Sequence, residues 1–210
     1  MVTMESTTPA SRVLALFADL LEYPSPGLAQ TAHECARIIA DESPQAAARL
    51  EEFAAFVERT PRNTLEEVFT ATFDLNASRH PYVGYHMFGE AYKRSVLLLE
   101  LKERFRTYGY DSGLELPDHI AVLLRFMALC PDEELITELV REAILPTLDP
   151  MIAAPEAEPV GPDEEAPVPF DIGDDYSRVL RALQLILQER YGPPAELEVI
   201  PLPDDSRLVS

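Results

Sequence analysis

The sequence has few cysteines, no tryptophan and few basic residues. Its 210 residues include two cysteines, Cys35 and Cys130, and 17 lysines and arginines against 37 acidic residues, for a formal charge of −20. Two distant cysteines without a Cys-x-x-Cys pair argue against a disulfide scaffold and against a thiolate zinc site. The acidic excess argues against binding to nucleic acid or to anionic membranes, because their phosphates would be repelled. If charge selects a partner, that partner is basic.

Long apolar runs are also missing. The stretch from Val13 to Leu21 is interrupted by Asp19, and it falls short of the roughly 20 apolar residues that a membrane-spanning helix needs. It also lacks the basic start and the small-residue cleavage pattern of a secretory signal. We therefore expect a soluble, cytoplasmic protein with no direct membrane insertion.

The motifs of common enzyme sites are absent as well. Gly84 and Gly89 have the spacing of a phosphate-binding loop, but Glu90 and Ala91 stand where lysine and serine or threonine are required. The four histidines never pair at a usual metal-ligand spacing. We expect no catalytic residue, no metal and no stably bound cofactor.

Helical periodicity dominates what is present. The pattern predicts an all-α fold, a single helical bundle of about eight or more helices in one domain over residues 1–210. The predicted helices begin near Thr8 or Ser11, Leu28, Pro44, Thr64, Val83, Pro117, Asp132, and Asp174 or Asp175. Thr64 and Glu67 have the spacing of a capping box. The fifth helix is predicted to run without a break to Tyr108, and the seventh to end near Leu145.

An acidic, proline-rich segment interrupts this pattern before the last helix. Residues 153–173 hold five prolines and six acidic residues, with no basic residue. Such a composition cannot bury enough apolar surface to offset the entropy of ordering, so the segment is predicted to be a mobile loop. The tail over residues 192–210 is predicted to be loose.

Two polar clusters stand out along the chain. His86, Glu90 and Arg94 recur every fourth residue, which predicts one shared helix face, and Gly89 within that helix would permit a close backbone approach. The second cluster runs from Glu115 to His119, with Pro117 and Asp118 at a predicted helix start. Each cluster has an ordinary explanation, an exposed ion-pair ladder and a routine helix start. The second cluster, with an acid and a histidine at a helix start, could also hold a basic peptide.

Four short motifs together resemble the respiratory nitrate reductase assembly chaperones. These are the delta subunits, within the wider family of redox-enzyme maturation proteins that serve molybdenum enzymes. Order and spacing agree over roughly residues 14–127. The motifs are Leu20–Pro24, Thr72–Asn76, His86–Glu90 with Arg94, and Glu115–His119.

The resemblance implies a non-catalytic, all-helical chaperone. Such proteins bind the basic N-terminal segment, often a twin-arginine leader, of an apo molybdenum oxidoreductase catalytic subunit. They hold that subunit in the cytoplasm while molybdenum cofactor and iron–sulfur clusters are inserted. Tyr92 and Ser95 stand where the family commonly has arginine and glycine, so the expected client is nitrate reductase or a related molybdenum oxidoreductase.

A binding mechanism follows as a hypothesis. The client segment would fold as an amphipathic helix in a groove between the Val83–Tyr108 helix and the Pro117 helix. Glu90 and Asp118 would pair with client arginines, and His86 and His119 would add a pH-dependent contribution. The residues assigned to client binding are Tyr85, His86, Gly89, Glu90, Tyr92, Arg94, Leu116, Pro117, Asp118 and His119.

Two other interpretations of the sequence remain open. The chain could be a helical adaptor that binds partners through its acidic loop over residues 153–173. It could also be an enzyme that uses His86, Glu90, Asp118 and His119 as acid–base groups or metal ligands.

Overall fold

A computed structural model describes residues 8–75, 79–153 and 174–195, and these form ten α-helices. The helices are α1 (Pro9–Leu20), α2 (Leu28–Ile39), α3 (Pro44–Arg59), α4 (Arg62–Phe69), α5 (Val83–Phe88), α6 (Tyr92–Thr107), α7 (Ile120–Leu129), α8 (Glu133–Leu139), α9 (Leu145–Ala153) and α10 (Asp174–Tyr191). Within these ranges there is no strand, only an isolated antiparallel bridge between Tyr82 and His119. The predicted all-helical fold is confirmed.

The helix starts that depend on local chemistry agree with the sequence. Thr8 caps α1, where its Oγ1 accepts a hydrogen bond from the Ser11 amide at 3.1 Å. Asp132 caps α8 in the same way, since its Oδ1 accepts from the Leu135 amide at 3.0 Å. Pro44 is the first residue of α3, where a missing amide hydrogen costs nothing.

The core is formed mainly by α1, α2, α3, α7 and α10. The apolar residues that recur at helical spacing along α10 are all buried: Val179, Leu180, Leu183, Ile186 and Leu187. At the start of α10 the ring of Tyr176 lies 5.1 Å from the rings of Phe53 and Phe73, centroid to centroid. These separations are typical of favourable aromatic pairs.

Two predictions of where helices begin and end are wrong. The capping box at Thr64 is wrong, because α4 begins at Arg62 and Thr64 lies inside its first turn. The helix predicted to end near Leu145 continues instead to Ala153, through the π-helical turn Val140–Ile144. There the Leu145 amide donates to the Val140 carbonyl, so the widened turn carries the chain onward despite Pro146 and Pro150.

The predicted continuous helix from Val83 to Tyr108 is also wrong. Gly89 ends α5 with φ +62° and ψ −151°, a conformation that is essentially restricted to glycine. Ala91 then has extended backbone, and α6 begins at Tyr92. We call the region where α5 meets α6, around Gly89, the α5–α6 corner.

The helix predicted to start at Pro117 begins three residues later, at Ile120. The residues before it pair with the segment that precedes α5. The Val83 amide donates to the Asp118 carbonyl at 2.8 Å, and the Ile120 amide donates to the Pro81 carbonyl at 2.7 Å. We call these two hydrogen bonds, with the bridge they enclose, the 82/119 clasp. It brings Asp118 next to α5.

Several sequence predictions fall outside the described residues. Ala153 belongs to α9, while the rest of the acidic segment, residues 154–173, is not described, and neither are residues 196–210 of the tail. None of the described helices is long and apolar enough to cross a membrane.

Candidate functional site

A buried ion pair joins the two polar clusters of the sequence. Arg94, in the first turn of α6, donates through Nε to Oδ2 of Asp118 at 2.8 Å and through Nη2 to Oδ1 at 3.4 Å. The Asp118 side chain has no exposed surface, whereas 18% of the Arg94 side chain is exposed. The Arg94 guanidinium also lies 5.4 Å from the centre of the Tyr82 ring. Carboxylate and aromatic face together give a guanidinium its preferred surroundings.

A glycine makes this contact possible, and it is Gly84, not Gly89. A Cβ on Gly84 would lie 2.8 Å from Asp118 Oδ2, 3.0 Å from Leu97 Cδ2 and 3.1 Å from Arg94 Cγ. A Cβ on Gly89 would meet nothing within 4 Å. Within the described residues the close approach is therefore at Gly84, while Gly89 provides a backbone conformation.

Hydrogen bonds and ring contacts surround the 82/119 clasp. The Tyr82 hydroxyl donates to Glu115 Oε1 at 3.2 Å, and the Tyr82 and His119 rings meet edge to face at 5.4 Å. His119 Nδ1 accepts from the Ala121 amide at 3.2 Å and so caps α7. Burial lowers the pKa of His119, although the carboxylates of Glu115, Glu22 and Asp118 oppose this shift. Near neutral pH the ring is therefore held as a neutral cap.

A second chain of contacts ties α5 to the π-helical turn Thr70–Asp74. His86 Nε2 donates to the His80 carbonyl at 2.7 Å, and His80 Nδ1 donates to the Phe73 carbonyl at 3.0 Å. Tyr85 packs edge to face on both histidine rings. Burial lowers the pKa of His86. The motif at Thr72–Asn76 is thereby connected to the motif at His86–Glu90.

The first motif reaches the same region through Arg125 of α7. Arg125 donates to Glu22 of the Leu20–Pro24 motif and, at 2.8 Å, to Oδ1 of Asp19. The hydrogen bond from Arg125 and the positive charge of its guanidinium lower the pKa of Glu22, although burial opposes this shift. All four motifs therefore lie in one region around the clasp and α5, the first of them through Arg125 and through Glu22 near His119, although they are far apart in the sequence.

An apolar groove opens beside this network, on the surface of α6. It has a volume of about 280 Å³ and lies where the end of α5 meets α6. Tyr92 lines it with a side chain that is 83% exposed. The groove is lined by Phe88, Tyr92, Lys93, Val96, Leu97 and Glu100.

The structure separates some of the residues that the sequence grouped. His86, Glu90 and Arg94 do not share a helix face, because Gly89 breaks the helix between them. Glu90 is exposed. The space predicted as a groove between residues 83–108 and the Pro117 segment is bridged by the Arg94–Asp118 pair, so Asp118 already has a cation. Pro117 is buried, while Leu116 stays 39% exposed.

Sequence reasoning overlooked several residues of this region. Tyr82 and Gly84 shape the Asp118 pocket, and Val96, Leu97 and Glu100 line the groove. The opposite charges of Arg94 and Asp118, each inside a motif, were the one available signal that these motifs meet. Among the described residues no group of three or more histidine, cysteine, aspartate or glutamate side chains is placed to hold a metal ion.

Comparison with solved structures places the fold in a known class. It is similar to the crystal structure of an Archaeoglobus fulgidus protein described as a redox enzyme maturation protein. The match has a TM-score of 0.57 and covers 90% of this chain and 99% of that chain, at 20% sequence identity. At this identity the likeness concerns the fold alone. Among curated protein sequences none matches the chain significantly.

The sequence identifies the family. The model of the nitrate reductase delta subunit family matches residues 39–153, which is more than half of the chain. The chain belongs to this family. The matched range includes three of the four motifs, and the family resemblance inferred from those motifs is confirmed.

Proposed function

We propose that this protein is a non-catalytic, cytoplasmic maturation chaperone with no resident cofactor. It binds the basic N-terminal segment of an apo molybdenum oxidoreductase catalytic subunit, nitrate reductase or a relative. It holds that subunit while molybdenum cofactor and iron–sulfur clusters are inserted. Family membership and fold support the maturation role, and the observation that carries the binding site is the groove beside the four converging motifs.

The groove has the chemistry that an amphipathic basic helix requires. Phe88, Tyr92, Val96 and Leu97 offer apolar surface, and Glu100 offers a carboxylate in the same lining. A helix laid in such a groove buries its apolar face. One of its basic residues would pair with Glu100, on the side of the groove away from Lys93. The formal charge of −20 would accelerate encounter with a basic segment.

A peptide-binding experiment with matched variants tests this site. The probe is a synthetic peptide of the first twenty or so residues of a nitrate reductase catalytic subunit, titrated by calorimetry. Tyr92→Ser is expected to weaken binding by roughly tenfold, since a buried aromatic anchor typically contributes more than about 1 kcal/mol. Leu99→Ser is the control, because Leu99 lies on the same helix, is 69% exposed and does not line the groove. Equal losses in both variants would reject the groove.

The charge contribution has its own control on the same helix. Glu100→Gln should weaken binding, while Glu103→Gln, outside the groove, should not. Binding should also weaken as salt rises from low to several hundred millimolar. Deletion of residues 154–173 should leave peptide binding intact, whereas the adaptor interpretation requires that binding be lost.

A further inference from the structure

The first turn of α6 is held in place by tertiary contacts and not by its own sequence. Its N-cap, Ala91, supplies no side-chain hydrogen bond, and no acidic residue lies in the first turn. Lys93 and Arg94 instead place positive charge at the positive end of the helix dipole. A helix start this poor in local stabilisation depends on the Arg94–Asp118 ion pair.

The surroundings of Asp118 amount to a complete guanidinium site. The carboxylate meets two nitrogen atoms of Arg94, the Tyr82 ring lies 5.4 Å from the guanidinium carbon, and Gly84 leaves room for both. Lysine could not fill this site equally well, because an ammonium group lacks the planar fork that makes two parallel contacts.

Arg94, which fills the guanidinium site, is partly exposed to solvent, whereas the carboxylate that it contacts is not. Asp118 is fully buried, but 18% of the Arg94 side chain faces solvent. Tyr92 and Lys93, which precede Arg94 in the same turn, line the groove proposed above. A peptide in that groove therefore lies next to the exposed edge of the pair.

We propose that Asp118 and Tyr82 form a guanidinium-binding site, which Arg94 fills in the free protein and from which an arginine of the client segment displaces it. This inference rests on the proposed function and names the chemistry at its site. The exchange breaks one ion pair and forms another, so the charge of Asp118 stays compensated throughout. Arg94 is released to solvent, and the first turn of α6 loses its main tether.

The test compares Arg94→Ala with Arg106→Ala. Both variants remove one positive charge from α6, but Arg106 forms an exposed pair with Glu103, in which both side chains are 76% exposed. The first probe is N-acetyl-arginine methylamide at millimolar concentration, with the lysine analogue as its counterpart. In Arg94→Ala the arginine compound should raise the melting temperature at least twice as much as the lysine compound does, because it replaces the missing cation on Asp118. In Arg106→Ala the two compounds should act alike.

The second probe is the client peptide with arginine and its twin with citrulline. Arg94→Ala should bind the arginine peptide about tenfold more tightly than the wild type, since no internal arginine competes. It should show no such gain for the citrulline peptide. Should Arg94→Ala fail to fold, Arg94→Lys keeps the charge but not the fork, and a smaller gain is expected. A loss of arginine-peptide affinity in both Arg94 variants overturns the inference, as does an absence of arginine-selective stabilisation.

The two probes also separate this inference from the function on which it rests. If the arginine compound stabilises Arg94→Ala but the client peptide binds no variant, the site exists and the proposed client is wrong. If the client peptide binds the wild type and both Arg94 variants equally, the chaperone role is supported and the displacement of Arg94 is refuted.

Discussion

Gly84→Ala is the substitution that most directly probes the packing of α5 against the Asp118 pocket. The added methyl group would lie 2.8 Å from Asp118 Oδ2, 3.0 Å from Leu97 Cδ2 and 3.1 Å from Arg94 Cγ. Carbon atoms pack best at about 3.5–4.0 Å, so each neighbour must retreat by several tenths of an ångström. Asp118 has little room to do so, because it is fully buried and hydrogen-bonded to Arg94.

Two opposing contributions determine the size of the effect. Overpacking of a tight site costs about 1–3 kcal/mol. Alanine improves on glycine by up to about 1 kcal/mol in a helix interior, but Gly84 is only the second residue of α5. The expected net result is a loss of about 1–2 kcal/mol in the free energy of unfolding.

Urea denaturation of the variant and the wild type measures this loss. Gly27→Ala is the matched control, since a Cβ there meets nothing within 4 Å, and its effect should stay within about 0.5 kcal/mol. A double-mutant cycle with Arg94→Ala should be non-additive, because both changes act on Asp118. A Gly84→Ala protein as stable as the wild type would refute the close approach of α5 to Asp118.

Three further changes test features away from the Asp118 pocket. Gly89→Ala should cost about 1–3 kcal/mol of stability through backbone strain alone, because a Cβ there has no neighbour within 4 Å; an unchanged urea midpoint would contradict the glycine-only turn. Tyr176→Phe should raise the free energy of unfolding by about 1 kcal/mol, since the buried hydroxyl has no hydrogen-bond partner among the described residues; a loss of stability would show that the hydroxyl is satisfied. The hydrogen bond with Glu58, and then that with Glu51, raises the pKa of His33 above its ordinary value, although burial opposes this shift. The stabilisation of the fold by protonated His33 is present below the pKa that this histidine has in the unfolded chain. It is lost as the pH rises through the pKa of His33 in the folded protein. His33→Gln should therefore lower the free energy of unfolding more at pH 5 than at pH 8. The difference should be small, because 41% of the His33 side chain is exposed. An equal effect at the two pH values would argue against the contact.

The parts of the fold that follow from neighbouring residues could be predicted from the sequence. Thr8 and Asp132 cap their helices through contacts three residues away, and the periodicity of α10 marks its buried face. The break at Gly89 could not be predicted in this way. The residues on both sides of it are compatible with a helix, and the break consists of the positive φ of Gly89 and the extended backbone of Ala91.

The site depends on contacts between residues that are distant in sequence. Arg94 and Asp118 are 24 residues apart, so no spacing rule connects them. In the sequence Gly84 is notable only as part of an incomplete phosphate-loop pattern. Its role is to leave space for the Asp118 side chain, which comes from another segment of the chain. The motifs identified the right regions of the chain, and tertiary structure decides which atoms in them meet.

The 82/119 clasp has a consequence for how this protein can diversify. It fastens both ends of the stretch from Val83 to Asp118, which carries the α5–α6 corner, the groove and the Arg94 side chain. Because its ends are fixed, this stretch can change its side chains, or even its length, without displacing the other helices of the bundle. If the groove binds the client as proposed, exchanging residues 83–118 between relatives should alter which client is bound.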